Sequence, residues 1–107
     1  MGKTSKELEK KLAELQAASV EAGAEFRRLD EQLGQAKLDI GMDVLAGKAA
    51  DKSKLKELTE KRDELGMRLS ALAKKIKDTQ VELVEAQEAE YKAKRAEYEA
   101  ESEQQLI

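Results

Sequence analysis

Apolar residues recur at alternating steps of four and three through the first forty positions: Leu8, Leu12, Leu15, Ser19, Ala22, Phe26, Leu29, Leu33, Ala36 and Ile40. Nine of these ten positions are apolar, Ser19 being the exception. Such spacing keeps one narrow stripe facing a partner helix for about 50 Å, at roughly 1.5 Å of rise per residue. Ahead of the stripe, Thr4-Ser5-Lys6-Glu7 fits a capping box, with the Thr4 hydroxyl accepting from the Glu7 amide and the Glu7 side chain reaching back. A long helix therefore starts near Ser5 and needs a second helix to cover it.

That second helix is also in the sequence. Leu55, Leu58, Arg62, Leu65, Leu69, Leu72, Ile76, Thr79, Leu83 and Ala86 repeat the pattern, which then fails at Glu90 and Ala93. From there a stripe of Ala86, Ala89, Ala93, Ala96 and Ala100 takes over, flanked by Val84, Tyr91 and Tyr98 at seven-residue spacing. A three-residue offset of this kind is a stammer, and it changes the character of the seam near Ala86.

Between the two stripes lies "DIGMDVLAGKAADKSKLKEL", and the two frames do not join across it. Gly47 suits the left-handed position after a helix, and Asp51 or Ser53 suits the start of the next. Met42, Val44 and Leu45 are expected to fold over the end of the seam. The reading is one domain, residues 1–107, with helix 1 over about 5–46, a loop over about 47–52 and helix 2 over about 53–105. Matching the stripes about this turn sets Ile40 near Leu55, Phe26 near Leu69 and Leu12 near Leu83. The expected fold is all-α: an antiparallel two-helix coiled-coil hairpin with a longer second helix, assembling into a dimeric helical bundle. The alternative, a single straight helix, would expose both stripes unless other chains covered them.

Composition agrees with a thin seam rather than a thick core. Charged residues make up 40% of the chain and aromatics 3%, and there is no Pro, Cys, His or Trp. Without Pro, neither helix carries the roughly 3 kcal/mol cost of an interior break. Without His or Cys there is no imidazole base, thiolate or ordinary zinc ligand set. The abundant carboxylates, such as Glu57, Glu60 and Glu64, lie on common helix faces, but a two-helix rod offers no water-excluding cleft for general acid–base work. No catalytic, cofactor-binding or metal-ligating residues are expected, and no enzymatic activity. The opening "MGKTSK" misses a myristoylation signal at Lys6, and its "GKT" lacks the rest of a phosphate-binding loop. No apolar run approaches the ~20 residues that span a bilayer, and no signal-peptide core is present. The expected location is cytoplasmic, with virion assembly also allowed by the lack of Cys. The basic clusters "FRR" and "KKIK" sit in a chain of pI 5.2 with few aromatics, which argues against a nucleic-acid surface.

Charge is unevenly spread along helix 2. Residues 48–77 carry ten basic and five acidic side chains, and residues 78–107 three basic and nine acidic. This order opposes the helix macrodipole, so intrinsic helix stability does not explain it. Two copies of helix 2 lying antiparallel would bring basic and acidic halves together and cover the tyrosines. The residues expected to meet a partner are therefore Val84, Tyr91, Arg95, Tyr98 and Leu106, with Met42, Asp43, Leu45 and Asp51 at the hairpin tip as a second candidate surface. Gly23, Gly34 and Gly66, off the seams, either are tolerated or admit a closely packed helix. Arg62, on a seam, reads as a side chain that covers apolar surface and keeps its head in water. Ser19 and Thr79 mark register.

The stretch "VLAGKAADKSKLKELTEKRDELGMRLSALAKKI" resembles small coiled-coil hairpin proteins of phage and prophage structural gene clusters. The likeness covers roughly residues 36–86: an Ala/Leu helix end, a Gly-containing loop, then "LxxL" heptads. It implies an assembly or accessory role and brings no catalytic residues. With Asp43 and Asp51 near the tip, the chain also looks like the hairpins that enter the RNA polymerase secondary channel, but their tip motif and globular domain are missing. The expected function is a non-enzymatic structural or assembly protein acting through self-association and protein contacts. The alternative is a small regulatory binder or inhibitor that presents its tip or its C-terminal overhang to a host protein.

Overall fold

The computed structural model describes residues 3–105 of the chain. Two helices make up the fold, α1 (Ser5–Leu45, 41 residues) and α2 (Ser53–Gln105, 53 residues), joined by a reversal of direction, and the architecture is an antiparallel helical hairpin with a longer second helix. Chain contacts divide it into two compact units, residues 16–74 and residues up to 15 together with those from 75 onward.

The turn lies in the first unit. The Gly47 amide donates to the Val44 carbonyl (3.1 Å) and the Lys48 amide to the Asp43 carbonyl (2.9 Å), with Gly47 at φ +73°. These paired bonds form a Schellman closure, which satisfies carbonyls that the end of α1 would otherwise leave without donors. Only glycine takes this left-handed backbone without a steric cost. The start of α2 is held by Asp51, whose carboxylate accepts from the Ser53 amide at 2.9 Å. That bond favours the ionised form, so the Asp51 pKa lies below its ordinary value.

Beyond the turn the seam in this unit closes on Ala22, Leu33, Leu58 and Leu65, all buried. Gly66 lies against it: a Cβ there would sit 3.6 Å from the Phe26 ring, an ordinary van der Waals contact, so the ring does not demand a glycine. Arg62 places its guanidinium 3.2 Å from Asp30 on α1 and 3.8 Å from Asp63, with about a third of the side chain exposed. Its stem covers the seam and its head bridges the two helices at the surface, a pair worth about 0–1 kcal/mol at such exposure.

In the second unit Leu8 and Thr79 are almost fully buried, at 2% and 1% exposure. Thr79 is the one buried polar side chain among the described residues, and its hydroxyl donates to the Lys75 carbonyl one turn earlier (2.7 Å). The demand is met inside the helix, so burial leaves no unpaired group. At the N-terminus of α1 the Thr4 hydroxyl accepts from the Glu7 amide at 3.2 Å. The second acceptor at this helix end comes from α2 rather than from Glu7: both the amide and the hydroxyl of Ser5 donate to the Glu90 carboxylate, at 2.9 and 2.6 Å. These bonds hold the Glu90 pKa below its ordinary value, the hydroxyl contact being the larger cause.

Candidate functional site

Two surfaces hold the residues that the sequence singles out, one in each unit. At the tip, Met42 and Val44 are each 61% exposed and Leu45 is 86% exposed. They do not fold over the end of the seam as expected. The Schellman closure keeps α1 regular as far as Leu45, and regular spacing puts Leu38, Met42 and Leu45 on the side of the helix opposite Ala36 and Ile40. Asp43 is half-buried, and its carbonyl serves the closure. Asp51 is exposed and engaged as the cap of α2. The two acids of the tip thus both support the turn, one by its backbone and one by its side chain.

The other surface lies on α2. Every residue from Gln87 to Ser102 is exposed, so the alanine stripe of Ala89, Ala93, Ala96 and Ala100 lacks cover, although Ala89 and Ala93 lie beside Leu8 at the α1 terminus. Val84, Tyr91 and Tyr98 are 53%, 66% and 74% exposed. Arg95 lies among them with its Nε 3.2 Å from Glu99 Oε1. Leu106, the remaining residue expected here, lies outside the described residues.

These side chains belong to a longer pattern. Lys77, Val81, Val84, Glu88, Tyr91, Arg95 and Tyr98 follow one another at steps of four and three. That is the spacing of the buried seam, carried on the opposite side of α2 from Thr79, Leu83 and Ala86. Val81 is as exposed as Val84, and the two line an open groove with Lys77, Gln80 and Glu85. Sequence reasoning found Val84, Tyr91, Arg95 and Tyr98 and missed Val81, Lys77 and Glu88. The signal was available, since the stripe keeps the seam's own rhythm two residues out of phase.

Among the described residues no group of three or more acidic, His or Cys side chains is placed to hold a metal ion, and no buried side-chain N or O atom lacks a hydrogen-bond partner. No described helix is long and apolar enough to cross a membrane. What the α2 face offers chemically is apolar area, two phenols and exposed charge of both signs. Comparison with protein-family models, curated proteins and solved structures finds no match to this chain.

Proposed function

We propose that this protein is a structural or assembly component without enzymatic activity, acting through self-association by way of α2 and through contacts with other proteins. The observation that supports this reading is the outer stripe of α2. Val81, Val84, Tyr91 and Tyr98 leave more than half of each side chain in water on one helix face. Scattered exposed apolar residues are ordinary, but a row at seam spacing is suited to a partner helix. The uneven charge of α2 favours a second copy, because antiparallel pairing sets basic residues from 48–77 of one copy against acidic residues from 78–107 of the other. The resemblance to phage hairpin proteins over residues 36–86 points to the same kind of role.

Sedimentation equilibrium over a wide concentration range tests the proposal. Mass should rise with concentration toward a dimer or a larger assembly. A monomer at every concentration and salt would overturn it. One observation favours a second reading, a regulatory binder that docks by its tip: Leu38, Met42 and Leu45 form a compact exposed apolar patch on the back of α1. That reading requires a monomer or small fixed oligomer whose binding to its target is lost on Met42→Ser with Leu45→Ser.

A further inference from the structure

The segment "KDTQVELVEAQE", residues 77–88, is self-complementary when read on one helix face. Its outer-stripe residues are Lys77, Val81, Val84 and Glu88, spaced four, three, four. Reversing the direction of the chain leaves the spacing unchanged, exchanges the two valines and swaps a cation for an anion. A two-fold symmetric contact between identical helices requires this property, since each residue must meet the partner of its own image.

From this we infer that a second copy of the chain docks on the outer stripe of α2, antiparallel, about a two-fold axis that passes between Glu82 and Leu83. The inference rests on the self-association proposed above and deepens it by giving the face and the register. Lys77 of one copy faces Glu88 of the other, Val81 faces Val84, and each pair occurs twice. Neither Lys77 nor Glu88 is held in an ion pair within the chain among the described residues, so both enter the contact without breaking one. The exposed valines supply the apolar centre. Tyr91 and Tyr98 continue the stripe over the basic part of the other copy, where phenol faces suit lysine and arginine. Shifting one helix by a heptad separates Val81 from Val84 and removes the Lys77–Glu88 match, so the register is specified. The flank carries a cost: Glu85 and Asp78 lie beside the stripe with like charge across the axis. Salt therefore screens attraction and repulsion together, and a charge swap is the more decisive probe.

Three full-length variants make the test: Lys77→Glu, Glu88→Lys, and both together. All the substituted positions are exposed, and circular dichroism at low concentration should show the same helix content in each. Because every pair occurs twice in the dimer, each single variant replaces two attractions by two repulsions, and its dimer dissociation constant should rise about tenfold or more. The double variant restores the pairing with its polarity reversed, and its dissociation constant should return to within about threefold of the original. A wild-type dimer that neither single variant weakens, or that the double variant fails to restore, overturns the register while leaving self-association standing. A wild-type monomer overturns both.

Discussion

Gly34 and Gly47 differ in what the backbone asks of them. Gly34 lies within α1 with nothing within 4 Å of where a Cβ would be, and its backbone is ordinary helix. Gly47 also has open space around it, but its φ of +73° is a conformation that a side chain opposes. A methyl group should therefore act with opposite sign at the two sites. Gly34→Ala removes conformational freedom from the unfolded chain and should stabilise the hairpin by roughly 0.5–1 kcal/mol. Gly47→Ala meets no clash with neighbours yet must bear the left-handed penalty or give up the Schellman bonds, a loss of about 1–2 kcal/mol. Urea melts followed by circular dichroism measure both, and the same sign at the two positions would contradict this account of the turn.

At the scale of the helices, the N-terminus of each is held by a carboxylate, that of α1 by Glu90 and that of α2 by Asp51. Both groups are more acidic folded than unfolded, through their bonds to Ser5 and Ser53. A depressed carboxyl contributes its stabilisation in full above the unfolded pKa and loses it as pH falls through the folded one. The caps are thus intact at neutral pH and fail below the ordinary carboxylate range. Glu90→Gln and Asp51→Asn should each reduce stability at pH 7 and flatten part of the acid limb of the stability profile. Amide exchange resolved by residue should show the loss at Ser5 for the first variant and at Ser53 for the second. Melting against pH over the acid range tests this, and an unchanged acid limb in the Glu90→Gln chain would remove its capping role. These two caps also mark how far the sequence could be read. All ten positions of each apolar stripe, from Leu8 to Ile40 and from Leu55 to Ala86, are buried or half-buried, because seam spacing is a local property that any stretch displays by itself. Asp51 was legible for the same reason, being two residues from the amide it serves. Glu90 reads only as the place where the heptads stop, since its partner is 85 positions away and the bond depends on where the start of α1 falls along α2. Likewise Val84, Tyr91 and Tyr98 stand out by their seven-residue interval. Lys77 and Glu88 stay hidden while only apolar positions are followed, although they complete the same stripe.

At the scale of the molecule, the question is whether Tyr91 and Tyr98 serve the hairpin or an encounter with another chain. Both are exposed, at 66% and 74%, which leaves them little to contribute within the chain. Replacing both by alanine separates the two roles by sign. Alanine is the better helix former by about half a kcal/mol per site. If the tyrosines acted only within their own helix, the variant would therefore be equally or more helical and melt at the same or a higher temperature at every concentration. Under the proposed pairing, association stabilises the folded chain by mass action, so the melting temperature of the wild type should climb as protein concentration rises. The alanine variant should match or slightly exceed the wild type when dilute and fall below it when concentrated, the two curves crossing near the dissociation constant of the dimer. Melting followed by circular dichroism across a hundredfold concentration range reads this out. Curves that never cross, with the variant above throughout, would show that the phenols take no part in association and would confine the contact to the stripe between Lys77 and Glu88.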